Sequence, residues 1–246
     1  MTIVQSLWIG DEGLGQLQRL SIQSFLAHGH QYHLYAYDDM AVPRGTILCD
    51  ASSVVPKDRV FVYREGFGKG SVSAFSNLFR YQLIKDKGGW WADTDVVCLR
   101  PFDFADEFVF ACEREDDGTM LTATCVFKSP SESEYLDYCL DVCETKDKDA
   151  LRWSEIGPYL FDEAVRRFGL GGHRVPAHVF NPVDYGDFLD MIMPGFDPSR
   201  IAESHAVHLW NQMWKSHDRV PAHEADPASL YAALRARYLG ADVPAC

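Results

Sequence analysis

The stretch Gly88-Gly89-Trp90-Trp91-Ala92-Asp93-Thr94-Asp95-Val96-Val97 constrains what this chain can fold into more than any other. Two glycines break whatever precedes them. The tryptophans and alanine then read as a short buried strand, and Val96-Val97-Cys98-Leu99 reads as another. Two carboxylates, one residue apart, sit between these apolar runs. Carboxylates flanked by buried strands are costly unless positive charge compensates them. Mg²⁺ or Mn²⁺ fits that need, because each prefers oxygen ligands, takes one or two carboxylates and leaves positions for phosphate and water. The setting is that of a nucleoside diphosphate held through a metal ion, as in a nucleotide-sugar site.

Spacing alone is weak. Asp147-Lys148-Asp149 repeats the pattern inside the polar run from Glu144, where it reads as a solvated, charge-alternating segment. What separates Asp93 and Asp95 is their apolar context and the helix before them. The pattern predicts a helix over 71–87, with Ser71 or Ser73 capping its start and Gly88 ending it. Phe75, Leu78, Phe79 and Leu83 fall on one side, suited to packing on a sheet, while Ser73, Asn77, Arg80 and Tyr81 gather on the other. Asn77 and Arg80, three apart, are neighbours there. A water-facing stripe is the plain reading of such a face.

Elsewhere strands are predicted over 3–9, 32–37, 107–112 and 120–127, and helices over 14–28, 132–144, 159–168 and 226–239. Strands alternating with helices imply an α/β chain with a mainly parallel central sheet flanked by helices, and ligands at the carboxyl ends of strands. Trp8 and Asp95 fall at such ends. The 246 residues, 47% of them hydrophobic, suffice for one large domain over 1–246. The glycine-rich run Glu65-Gly66-Phe67-Gly68-Lys69-Gly70-Ser71 fits neither phosphate-loop fingerprint and reads as a mobile linker or part of a lid.

A net charge of −13 argues against nonspecific binding to nucleic acid or an anionic membrane. Arg166-Arg167 and Arg235/Arg237 read as solvated helix faces. No apolar run reaches membrane length, so no transmembrane segment is expected, and Met1-Thr2-Ile3-Val4-Gln5 lacks a signal-peptide pattern. The seven cysteines show no framework spacing, and Cys139 and Cys143 read as small buried hydrophobes. A cytoplasmic setting follows, with a peripheral position at the inner face of a membrane left open. His28, His30 and His33 read as surface residues. On a strand, His205 and His208 would point to opposite faces, so one of them would reach a metal. Trp210 and Trp214 fit either a core or a cover over the diphosphate.

Taken together, Ser76-Asn77-Leu78-Phe79-Arg80-Tyr81, Gly88-Gly89 and Asp93-Thr94-Asp95 resemble the signature of the DXD-containing sugar transferases around glycosyltransferase family thirty-two. More distantly they resemble the glucosylating domains of large clostridial toxins. Leu7-Trp8-Ile9-Gly10, Tyr37-Asp38-Asp39, Ile156-Gly157-Pro158 and His208-Leu209-Trp210-Asn211 match further family segments in order, so the resemblance spans about 3–214. One position departs: Asn77 stands where the family carries Asp, keeping hydrogen-bonding capacity without negative charge.

The resemblance implies a GT-A (nucleotide-diphospho-sugar transferase), Rossmann-like fold. It implies a metal-dependent glycosyltransferase of hexosyltransferase type, moving a sugar from a UDP- or GDP-linked donor to a carbohydrate or glycoconjugate acceptor with retention. Trp8, Ile9 and Gly10 would hold the base, with Trp91 as a further stacking surface. Asp93 would bind ribose or sugar hydroxyls, and Arg80 and Asn77 would orient the donor sugar. Asp95, joined by His208 and Asn211, would hold Mn²⁺ or Mg²⁺. Glu113, Asp116 and Asp117 are candidates for acceptor contact. A metal-dependent nucleotide-sugar hydrolase and a noncatalytic nucleotide-sugar-binding protein are the alternatives.

Overall fold

The computed structural model describes residues 2–10 and 12–240. Eight strands appear among them: β1 (Ile3–Leu7), β2 (Gln31–Ala36), β3 (Ile47–Asp50), β4 (Gly89–Ala92), β5 (Val96–Cys98), β6 (Val109–Arg114), β7 (Met120–Ser129) and β8 (Ala206–His208). Six form one central sheet in the order β3-β2-β1-β4-β7-β6. The first four run parallel, and β7 and β6 join antiparallel. The α/β architecture with a mostly parallel sheet is the one the alternating pattern predicts.

Helices cover both faces. They are α1 (Gln16–Ala27), α2 (Ser73–Lys87), α3 (Glu134–Thr145), α4 (Pro158–Arg167), α5 (Asn211–Ser216), α6 (Pro221–Glu224) and α7 (Leu230–Leu239). Strand alternation divides the tryptophans of β4 between the two sides. Trp91 joins a core with Phe75, Phe79 and Leu83 of α2, Leu136 of α3 and Phe161 of α4. Trp90 faces the opposite core with Ile22 and Phe25 of α1. A third core joins β5, β8 and α7 through Val97, Val207 and Leu234. The short strand β4 is thereby pinned from both sides, which fixes where the Asp pair emerges. No helix among the described residues is long and apolar enough to cross a membrane.

Several expectations shift. Helix α2 starts at Ser73, and the Ser71 hydroxyl accepts from the Ser73 backbone N–H at 3.2 Å. Its polar side does not face bulk water: Asn77 is buried against Gly157, Arg80 against Asp93, Trp91 and the Thr124 carbonyl, and Tyr81 against Phe161 and the Ile156 carbonyl. The last helix begins at Leu230, capped by the Ser229 hydroxyl, rather than at 226. His30 is buried rather than at the surface, its Nε2 accepting from the Phe102 backbone N–H at 3.1 Å. Strand β3 escapes a periodicity reading because it is a half-exposed edge with no clean alternation.

Gly88 carries the junction from α2 into β4. It sits at φ 64°, and a Cβ there would lie 2.7 Å from the Ser131 backbone nitrogen. Backbone on that side cannot yield as a flexible side chain would. Gly88→Ala is expected to cost about 1–3 kcal/mol of stability in urea denaturation. Gly171→Ala, which meets open space, should change stability by less than about 0.5 kcal/mol.

Candidate active site

At the carboxyl ends of β1 and β4 the sheet opens into a cleft of about 600 Å³. Trp8 and Ile9 line one wall, Ser76, Asn77 and Arg80 of α2 another, and Asp93, Thr94 and Asp95 the floor. The segment from His208 to Asn211 closes the far side.

Two backbone devices create the floor. The Asp93 N–H donates to the Cys125 carbonyl at 2.8 Å and the Val96 N–H donates to the Asp93 carbonyl at 3.1 Å, so the chain turns tightly between β4 and β5. Strand β8 then pairs antiparallel with β5, setting His208 opposite Val96, and the Leu209 N–H donates to the Asp95 carbonyl at 2.8 Å. Two residues 113 positions apart thereby meet: His208 Nε2 lies 3.2 Å from Asp95 Oδ2. The same oxygen accepts the Asn211 backbone N–H at 2.8 Å. Trp210 makes the turn between them with φ 52°, a conformation bulky residues rarely adopt, and its ring centroid lies 3.9 Å from that of His208.

Asp93 has its own partner. Arg80 Nη1 donates to Asp93 Oδ2 at 3.3 Å and to the Thr124 carbonyl, while Nη2 lies 3.1 Å from Asp93 Oδ1. Arg80 Nε donates to the Ser76 carbonyl at 3.1 Å and Nη2 to the Ser76 hydroxyl at 3.0 Å. Every N–H of the guanidinium is engaged. Expected to orient the donor sugar, Arg80 is instead committed to fixing Asp93. Trp91 departs from expectation too. It is 1% exposed, lines no part of the cleft, supports the Arg80 guanidinium at 4.8 Å and donates its indole N–H to Asp93 Oδ1 at 2.8 Å. Its place in the core precludes base stacking.

The remaining expected residues divide. Trp8 and Ile9 do line the cleft, and the Trp8 indole N–H is buried without a protein partner. Gly10 lies outside it, although a Cβ there would come within 3.2 Å of the Trp8 ring, so glycine leaves that ring room. Asn77 lies against Gly157, where a Cβ would meet its amide at 2.7 Å, which explains how two distant motifs become neighbours. Asn211 lines the cleft, with its backbone N–H committed to Asp95. Asp38 pairs with Lys57 at 2.8 Å on the surface. His205 lies just before β8 rather than on it and turns away to the Pro101 carbonyl at 2.9 Å, and Trp214 is a core residue. Glu113 and Asp116 line the cleft; Asp117 instead shapes the β6–β7 turn by accepting from the Thr119 N–H. Cleft residues that no motif announced include Phe67, Trp153, Tyr159 and Tyr185. Their aromatic character is the only signal they carry.

Electrostatically the two aspartates diverge. Burial pushes the Asp93 carboxyl up, against the opposing pull of Arg80. Burial would also raise Asp95, but His208 and the Asn211 N–H outweigh it and bring its pKa down. Burial disfavours a charged His208, yet Asp95 and Cys125 lift its pKa well above the usual value. Asp95 and His208 thus each favour the charged form of the other. Asp93, Asp95 and His208 each offer a ligand atom, all within 4.8 Å of one another. Two carboxylate oxygens and one imidazole nitrogen suit a divalent first-row ion, and the nitrogen shifts the preference from Mg²⁺ toward Mn²⁺. The donor set fits the metal that the sequence motif implies.

The sequence matches no known family model and no curated protein. Among solved structures, the chain is similar to PaToxG glycosyltransferase, with a TM-score of 0.52 at 12% identity over 68% of this chain and 69% of that one. It also overlaps two transferase structures at a TM-score of 0.42. The first, a double cysteine-to-serine mutant, is 11% identical over 69% of this chain and 86% of that one. The second is 10% identical over 86% of this chain and 93% of that one. What is shared is the fold. A glycosyltransferase and this chain lay out their sheet and helices alike.

Burial, above all other influences, pushes the Glu113 carboxyl up to about 7 from an ordinary 4.5. Between those values the unfolded chain holds fewer protons than the folded one, so this group lowers stability as pH rises through the window. Glu113→Gln, unfolded by urea in EDTA, should be more stable than the parent at pH 8, by at most about 3 kcal/mol. At pH 4 the two should match.

Proposed function

We propose that the chain is a metal-dependent glycosyltransferase that moves a sugar from a UDP- or GDP-linked donor to an acceptor hydroxyl, with retention of configuration. The observation that carries this reading is the meeting of Asp93, Asp95 and His208 at the floor of a cleft walled by Trp8. Three groups suited to a metal, contributed by a strand end and a distant return segment, converge on the floor of a cavity large enough for a ligand.

Asp95, with His208 and Asn211 beside it, would hold Mn²⁺ or Mg²⁺. That ion supplies charge neutralisation for the departing diphosphate, a Lewis-acid role needing no proton donor. The protein's own groups do the positioning. Trp8 offers a ring face and an unpartnered indole N–H to the nucleoside base. Asp93 is clamped by Arg80 and Trp91, so its carboxylate meets ribose or sugar hydroxyls without reorganising. Asn77, braced against Gly157, presents an amide to the donor sugar from the helix side. Neutral Asn in that place keeps a hydrogen bond and avoids a further negative charge near the two aspartates.

The test is calorimetry of UDP, GDP and their sugars, with and without Mn²⁺. One nucleotide class should bind in a metal-dependent way, and Asp95→Ala should weaken that binding at least 100-fold, or about 3 kcal/mol. Arg80→Lys, which loses the fork that fixes Asp93, should weaken donor binding less than Asp95→Ala does. Undiminished Mn²⁺-dependent binding and transfer in folded Asp95→Ala protein would refute the assignment.

A further inference from the structure

The outer half of the cleft has a chemistry of its own, separate from the metal floor. Phe67 is 44% exposed and Tyr159 51% exposed, yet both line the same cavity as the aspartates. Large aromatic faces left to water at a cavity mouth are costly and mark a surface meant to be covered. Neither is a loose side chain. The Phe67 ring packs edge-on against Trp153 at 4.8 Å, and Tyr63 backs the same indole at 5.2 Å. Gly68, at φ 77°, leaves no room for a Cβ against that indole. The run of glycines read as a linker or lid thus seats against Trp153, and Arg64 pairs with Asp149 at 2.8 Å on the surface. Across the mouth, Ser154 holds φ 63° in the turn that leads to Tyr159.

Facing these rings is the tip of the β6–β7 hairpin. Glu115 and Asp116 line the cleft there, with the Glu115 carboxylate against the Tyr159 hydroxyl and Asp116 against that of Tyr185, while Glu113 sits deeper in β6 among Asp93, His208 and Arg80. Burial and the neighbouring Asp116 and Asp117 push the Glu115 carboxyl up. The carboxylates disfavour anions at the hairpin tip, while the cations lining the cleft, Arg80 and Lys215, come from α2 and α5. The mouth offers hydroxyl groups two kinds of partner at once: acceptor oxygens in a row, and flat apolar faces beside them.

We propose that this outer half is the acceptor subsite, and that it takes an uncharged sugar ring, stacked on Phe67 and Tyr159 with its hydroxyls bonded to Glu115 and Asp116. The proposal rests on the transferase reading and names its acceptor class. A pyranose has the matching anatomy, one apolar C–H face for an aromatic ring and equatorial hydroxyls that donate to carboxylates. An anionic acceptor such as a phosphorylated sugar meets only repulsion from the hairpin tip.

Saturation-transfer NMR on the full chain tests this with lactose, cellobiose and chitobiose as probes, glucose 6-phosphate as the anionic comparison, and an uncharged peptide bearing Ser and Tyr. Each probe is measured with and without Mn²⁺ and UDP or GDP. At least one disaccharide should bind, and glucose 6-phosphate should not. Phe67→Ala and Tyr159→Ala should each weaken that binding roughly fivefold, whereas Tyr159→Phe, which keeps the ring, should retain most of it. Nucleotide affinity, read by calorimetry on the same samples, reports separately on the transferase reading. Saccharides that give no signal on protein that does bind Mn²⁺-nucleotide overturn the acceptor proposal alone. So does a peptide signal lost in both alanine variants while the saccharides stay silent. Saccharide binding without any nucleotide binding supports the subsite and counts against the transferase reading.

Discussion

Everything at this site depends on how two partly buried carboxylates, one residue apart, are kept from repelling each other. Asp93 is matched to Arg80, and Asp95 to His208. Each partner arrives by a different route. Arg80 comes from the helix that immediately precedes β4, where a full turn of α2 is closed by Gly88. His208 comes from a strand more than a hundred residues later, brought in by pairing with β5. A lone carboxylate left in that setting would cost several kcal/mol, so the sheet, the helix and the return strand are held to one mutual arrangement. Metal binding at Asp95 would have to displace the proton that His208 shares with it, so proton and cation would compete for the same carboxylate.

The division of labour among the aromatic residues follows from strand geometry. Trp90 and Trp91 alternate across β4, and each anchors a different core. Trp91 touches the chemistry only indirectly, through the Arg80 guanidinium stacked on it and its hydrogen bond to Asp93. Trp8, one strand over and past the end of β1, stays at the cavity wall. Two tryptophans that look equivalent in the sequence thus take unlike places, Trp91 in the core beneath Arg80 and Trp8 at the cavity wall.

The fold class was legible because strands and helices alternate with clear periods, and the turn between β4 and β5 was legible because Asp93 and Asp95 stand in an apolar frame. Other features were not. The buried polar face of α2 is hidden from a helical projection, which cannot know that Asp93, the Thr124 carbonyl and the segment 156–157 lie against it. Trp91 was misplaced because a strand end can present its side chain to either layer, and only the β1 and β7 pairing decides which. The engagement of every Arg80 N–H depends on the Ser76 hydroxyl and the Thr124 carbonyl, and a backbone acceptor leaves no trace in sequence. Phe67, Trp153 and Tyr159 meet at the mouth through a glycine strap and a strained serine, both of which read as ordinary loop.

The central claim is that Asp95, with His208 and Asn211 beside it, forms a metal site that carries the nucleotide. Anomalous diffraction at the manganese edge, from crystals grown with Mn²⁺ and the nucleotide that binds, tests it directly. The account predicts one strong peak in contact with the Asp95 carboxylate and the diphosphate, with the base against Trp8. A nucleotide bound in the cleft with no manganese at Asp95, or manganese bound only elsewhere, would contradict it.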